Sequence, residues 1–147
     1  MKTHAGKSVV LPCACSNLRR AARAATRLYN RKLRETGLET TQFTILMALE
    51  MTGESTQGEL GQLLSLDSTT LTRMLTPLVI ERWIGERPGG DRRQRLLRLT
   101  PAGKRKLRDA RPAWERAQAA LEKGLETRTW NQLGTMLADV AEAAGEG

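Results

Sequence analysis

The chain has one histidine, His4, and two cysteines, Cys13 and Cys15, in 147 residues. It has no glycine-rich phosphate loop after a strand and no paired acids in a catalytic signature, so nothing in it points to an enzyme. No apolar run approaches the ~20 residues that cross a bilayer, and no membrane partner is expected. Lys2 and Lys7 precede only Val9-Val10-Leu11 as an apolar stretch, too short for a signal peptide, so a cytoplasmic protein is expected. Cys13 and Cys15 are too close for an easy structural disulfide. Two thiols without a firm third ligand also fall short of a zinc pattern, with His4 on the N-terminal tail. The metal assignment stays open and no cofactor is expected. Internal repeats and low-complexity linkers are absent, and the length suits one domain, residues 1–147, with a modest core.

Positive charge, in contrast, is plentiful. Twenty-four Lys and Arg stand against 16 Asp and Glu, a formal net charge of +8. That excess favours a polyanionic partner, and nucleic acid fits better than an acidic protein.

The stretch from Asp67 to Gly103 organises the reading. Asp67 is a good N-cap for a helix through Arg82, and Leu71, Met74, Leu75 and Leu78 form its inward stripe. Ser68, Thr69, Thr72, Arg73 and Thr76 share the opposite face, which has short hydroxyls, one arginine and no acid. Such a face lets a helix lie deep in a major groove, with arginine able to grip a guanine edge. An ordinary solvated surface helix is the plainer alternative. Pro77 removes a helical partner from the Arg73 carbonyl and is expected to kink the last turns. Two short apolar pieces, Trp83-Ile84 and Leu96 to Leu99, flank a Gly- and Pro-rich turn and read as a β-hairpin. Arg92 and Arg93 sit near its tip, and Arg95 closes the arginine-rich turn and joins the DNA-binding set. A tip of this kind can enter a minor groove or clamp phosphates, with Asp91 pairing to fix its shape.

Asp91-Arg92-Arg93 followed by Leu99-Thr100-Pro101-Ala102-Gly103 resembles the wing signature of the MarR family of winged-helix transcriptional regulators. The likeness extends over roughly residues 16–145. It implies a mainly α fold: a winged helix-turn-helix over 40–100 with a small β-hairpin wing, and N- and C-terminal dimerisation helices over 16–36 and 101–145. It further implies a homodimer on a pseudo-palindromic operator in double-stranded DNA. Ser68, Thr69, Thr72 and Arg73 then face the major groove, and Arg92 and Arg93 occupy the wing. Pro77 departs from the family's usual recognition helix.

The remaining chain agrees with that order. A helix is expected from Asn17 to about Glu35, with Leu18, Ala21, Ala22, Ala25, Leu28, Tyr29 and Leu33 on one face and Gly37 as its stop. Arginines at 19, 20, 23, 27, 31 and 34 occupy its other face, either solvated or touching phosphates. Thr40 or Thr41 is expected to cap a second, buried helix to about Met51, and Gly53 to Ser55 reads as a break. Thr56-Gln-Gly-Glu59 matches a capping box, and the helix it opens, the Ser65-Leu66 connector and the Asp67-capped helix make a helix-turn-helix. Thr100 caps and Pro101 opens a long helix that Pro112 is expected to kink or break. A last helix opens near Thr129, with Trp130, Leu133, Leu137 and Val140 in its apolar stripe.

For a switch, Cys15 is expected just before the first helix, where the helix dipole, Arg19 and Arg20 favour thiolate. Cys15 and Tyr29 also resemble, in location, the thiol and phenol of the family's hydroperoxide-sensing branch, although residues 40 and 41 are threonines and supply no further phenol. Three readings of the cysteines stand: oxidant sensing, binding of a thiophilic metal or metalloid, and packing. The expected function is a sequence-specific DNA-binding regulator acting as a repressor, released by a small-molecule inducer or by cysteine modification. The rival is a nucleic-acid-binding protein without sequence preference.

Overall fold

In the computed structural model, which describes residues 9–91 and 93–145, helices dominate and a three-stranded sheet completes the fold. His4 and Arg92 lie outside the described residues. Helix α1 (Ala14–Leu33) passes into a 3-10 turn (Arg34–Thr36), and Gly37 ends it at φ +75°. The helix begins three residues before the expected Asn17. Asn17 straps the incoming chain instead: its side-chain oxygen accepts from the Leu11 N–H at 3.0 Å and its amide donates to the Leu11 carbonyl at 2.8 Å. Cys13 therefore holds the N-cap position and Cys15 lies inside the first turn, not ahead of it.

Helix α2 (Thr40–Thr52) is capped by Glu39 rather than by a threonine. Glu39 and Gln42 form a reciprocal capping box, with the Gln42 side chain accepting from the Glu39 N–H at 3.0 Å. Thr40 is occupied elsewhere, since its N–H and hydroxyl both donate to the Asn30 side chain of α1 at 2.8 and 2.6 Å. Phe43, Ile45, Leu46, Ala48 and Leu49 are buried, as a helix apolar nearly all round requires. Phe43 stacks on Trp114 with ring centroids 5.7 Å apart.

The expected break after α2 contains a strand. β1 (Glu54–Thr56) pairs antiparallel with β3 (Arg95–Leu99), which also pairs with β2 (Ile84–Pro88), giving the order β1-β3-β2. A three-residue strand is too short to show alternation. Ser55 faces the core, with its hydroxyl donating to the Thr52 hydroxyl at 2.9 Å.

Helix α3 (Gln57–Leu64) opens on the expected Thr56/Glu59 capping box. It closes with Ser65 at φ +52°, where the Leu66 N–H reaches the Gly61 carbonyl at 2.8 Å and the Ser65 N–H the Gln62 carbonyl at 3.2 Å. This paired bonding satisfies the free carbonyls and turns the chain tightly into α4 (Ser68–Ile80). Gly61 is needed there, because a Cβ would lie 2.9 Å from the Leu66 carbonyl oxygen. α4 is capped by Asp67, whose carboxylate accepts from the Thr70 N–H at 2.8 Å, and it buries Leu71, Leu75 and Leu78. It continues past Pro77, and the same closing pattern recurs with Arg82 at φ +58°.

Helix α5 (Pro101–Lys123) runs through Pro112 without the break that was one of the two expected outcomes. Ala110, Ala113 and Ala117 are buried around it, and that packing holds the helix where the proline removes one backbone bond. α6 (Thr127–Gly145) opens two residues before Thr129 and buries no residue in the single chain. Met136, Leu137 and Val140 along it are 60%, 47% and 42% exposed.

Candidate nucleic-acid interface

The outward face of α4 is built by its cap and its stripe together. Asp67 fixes the start, the buried leucines fix the rotation, and Ser68, Thr69, Thr72, Arg73 and Thr76 all emerge exposed. Two of the hydroxyls are already committed as donors. Thr72 bonds the Ser68 carbonyl at 2.9 Å and Thr76 bonds the Thr72 carbonyl at 2.8 Å, so each presents its methyl group and an acceptor outward. Gln57 of α3 donates to the Thr72 hydroxyl at 2.7 Å and to the Ser68 carbonyl at 3.3 Å. Sequence reading missed Gln57, whose one local signal is its place beside the Thr56 cap. Arg73 has no ion-pair partner among the described residues, so its guanidinium is available to a ligand.

The wing forms where expected, with Ile84 paired to Leu99 and Pro88 to Arg95. Its tip is closed by Asp91, whose carboxylate accepts from the Arg93 N–H at 3.2 Å while its carbonyl accepts from the Gln94 N–H at 2.9 Å. Arg93 is exposed beside it. Arg95 lies 3.7 Å from Glu86 across the hairpin. Arg87, also missed, clasps Glu54 of β1 through two bonds of 2.9 and 2.6 Å, passing over β3 to tie the hairpin to the strand before α3. The Arg87 bond, followed by the charges of Arg87 and Arg98, holds the Glu54 carboxyl below its ordinary range. Hydrogen bonding from Thr70 lowers that of Asp67 in the same way.

The candidate sensing residues are not brought into one cluster. Cys13 and Cys15 are both exposed, and bonding to Ser16 holds the Cys13 thiol below its ordinary value. Tyr29 lies on α1 against α5, donating to the Gln118 side chain, and burial raises its phenol. No group of three or more His, Cys, Asp or Glu suited to a metal ion occurs among the described residues.

A model of the MarR family matches residues 36–94, which contain α2, the helix-turn-helix and most of the wing. The crystal structure of the Mycobacterium tuberculosis transcriptional regulator MosR in complex with DNA superposes with a TM-score of 0.82 at 33% identity. That match covers 91% of this chain and 97% of the other. The chain belongs to the MarR family. A mutant MarR from Escherichia coli complexed with operator DNA gives a TM-score of 0.77 at 26% identity, covering 86% of this chain and 91% of that one. The multiple antibiotic resistance protein MarR of Salmonella typhimurium is 40% identical over 78 residues, 52% of this chain and 54% of that protein. The chain thus matches about half the length of that MarR by sequence alone, while the MosR superposition covers 91% of this chain. It is a MarR-family transcriptional regulator with a winged helix-turn-helix, as the wing signature implied.

Proposed function

We propose that this regulator binds a pseudo-palindromic operator as a homodimer and represses transcription. Residues 40–100 read the DNA, and residues 16–36 and 101–145 join two protomers. Ser68, Thr69, Thr72, Arg73 and Thr76 enter the major groove, and Arg92, Arg93 and Arg95 of the wing hold the adjacent backbone or minor groove. The observation that carries this reading is the outward face of α4: exposed, lined by small side chains, free of acids, and crowned by an unpaired Arg73. Exposed apolar residues along α6 support the homodimer. The DNA-bound MosR and the operator-bound mutant MarR supply the precedent for DNA binding.

Release follows from a small ligand or from thiol modification. A groove of about 700 Å³ between α1, α5 and α6 of the single chain, lined by Tyr29, Gln118 and Trp130 among others and sharing Leu137 with the proposed protomer interface, is a candidate small-molecule site. Bonding to Ser16 favours thiolate at Cys13, which therefore joins Cys15 as a candidate for modification.

The deciding experiment is a gel shift against DNA upstream of the chain's own gene with excess random competitor. Specific binding persists, typically about a thousandfold tighter than non-specific binding. Arg73→Ala relaxes preference at one base position in each half-site, whereas Arg93→Ala weakens binding and lowers the salt slope by about 0.9 per protomer. If neither variant differs from wild type, the winged assignment is wrong. Peroxide titration of Cys13→Ser and Cys15→Ser separates the switches, because DNA release retained in both leaves a ligand as the trigger.

A further inference from the structure

The positive charge of this protein is not where the reading helix and wing are. Residues 54–100 hold seven arginines against six carboxylates, a near balance. Residues 14–36 hold seven cations against the single carboxylate of Glu35, and so carry a net +6 of the chain's +8. Six of the seven are arginines. At about 100° per residue, Arg19, Arg20, Arg23, Arg27, Arg31 and Arg34 fall within an arc of about 120° on one side of α1, along about 22 Å of its length.

This side is directed outward. Five of those arginines are exposed and Arg20 is half-buried, donating to the Val9 carbonyl at 2.7 Å. Among the described residues no carboxylate lies within ion-pair distance of Arg19, Arg23, Arg27, Arg31 or Arg34. Two shallow grooves meet at Arg27, one running along Arg20 and Arg23 beside the Val9-Val10 strap, the other along Arg31 and Arg34. Glu39 lies at the far rim of the second, with its carboxylate used to cap α2. Leu18, Ala25 and Leu28 lie on the opposite side of the helix, so joining of two protomers there leaves the arginines uncovered.

We infer that the arginine face of α1 is a second DNA-contact surface, one that grips phosphates of duplex DNA without reading sequence. Guanidinium forks match phosphate oxygens in pairs, which suits arginine over lysine at such a surface. The arc itself carries no aromatic or large apolar residue. Val9 and Val10 are exposed at one edge of its first groove, but no aromatic anchor of a protein-docking patch and no apolar stripe of a membrane-surface helix accompanies the arginines. Sequence discrimination then belongs to α4 and the wing, and much of the sequence-independent affinity belongs to α1. The inference rests on the operator-binding reading above.

Salt dependence tests it. The affinity of full-length protein for operator and random-sequence duplexes is measured against salt concentration for wild type and for Arg23→Gln/Arg27→Gln/Arg31→Gln. A charge-matched control, Arg105→Gln/Arg116→Gln/Lys123→Gln, removes three exposed cations from α5. All six positions are exposed, and circular dichroism confirms the fold of each variant. Three lost phosphate contacts in each protomer flatten the log–log slope by about 2.7 per protomer, or about 5.4 for a homodimer, at ~0.9 each, with the operator-to-random affinity ratio unchanged. An unaltered slope overturns the inference, and so does equal flattening by the α5 control, which would make it an effect of net charge alone. Polyglutamate binding lost in the α1 variant with its DNA slope intact would give the face to an acidic protein and overturn it too. A wild-type operator-to-random ratio near one sinks the operator reading instead, and the slope comparison still reads the α1 face.

Discussion

Gln57 donates its side-chain amide to the Thr72 hydroxyl at 2.7 Å, across the turn of the helix-turn-helix. The same hydroxyl donates to the Ser68 carbonyl, so its one proton is used within the protein. Thr72 can therefore offer a base its methyl group or a remaining lone pair, but no donor. Gln57 fixes that arrangement from a neighbouring helix. Gln57→Ala and Thr72→Val, alone and together, are expected to show a coupling of about 0.5–1.5 kcal/mol in operator binding. Strict additivity would mean that Gln57 does not position Thr72.

The chain entering the wing's first strand, β2, is held to α5 by a close approach that explains the Thr100-Pro101-Ala102-Gly103 pattern physically. Thr100 caps α5 by accepting from the Gly103 N–H at 3.0 Å, and its hydroxyl donates to the Arg82 carbonyl at 2.6 Å. The Thr100 N–H reaches the Trp83 carbonyl at 3.0 Å. A Cβ at Gly103 would lie 2.0 Å from that same carbonyl oxygen. Gly103→Ala must therefore push the start of β2 away from α5. It is expected to destabilise the fold by about 1–3 kcal/mol in chemical denaturation, with Ala102→Gly as a milder control. An unchanged midpoint for Gly103→Ala would contradict the packing.

Features written in neighbouring residues were legible in the sequence. The Thr56/Glu59 box, the Asp67 cap, the Thr100-Pro101 start and the leucine stripe of α4 each depend on side chains a turn or less apart. What was missed depends on distant partners. β1 is a strand because Glu54 meets Arg98, and Gln57 matters because the chain folds back on itself at Ser65. Glu39 replaced the threonines as the cap of α2 because Asn30 of α1 engages Thr40. Pro112 failed to break α5 because buried alanines on both sides pack the helix in place. The arginine face was visible as a pattern, but the lack of carboxylate partners at Arg19, Arg23, Arg27, Arg31 and Arg34 among the described residues is a property of the fold.

The clasp between Arg87 and Glu54 gives the wing a pH dependence of definite sign. Glu54's folded-state value is lowered, first by the hydrogen bond from Arg87, so its ionised form favours the native arrangement. The contribution is present in full above the ordinary glutamate value of about 4.3 and is lost as pH falls through the lowered native one. Amide exchange over β1 and the wing is expected to quicken in Arg87→Ala at neutral pH. In wild type the acid-dependent loosening appears only below that ordinary value, and Glu54→Gln lacks the step. An identical acid step in Glu54→Gln would assign it to another carboxylate.

Association of two protomers is the remaining requirement of the proposed function, and α6 is where it can be broken. Leu137 is 47% exposed and Met136 60% exposed in the single chain, on a helix that buries none of its residues. A helix of 19 residues with an apolar stripe gains little by standing alone in water. A second copy covering that stripe removes Leu137 from solvent in both protomers. Leu137→Asp then costs about 1.5–3 kcal/mol twice over, because the symmetric interface contains the residue twice. Association weakens by about a hundredfold or more. Light scattering behind size exclusion is expected to give twice the 16.3 kDa chain mass for wild type and the single-chain mass for the variant at low concentration. Operator affinity should fall with it, since a lone protomer can hold only one half-site. A wild-type mass of one chain, or a variant that stays paired, would remove α6 from the interface.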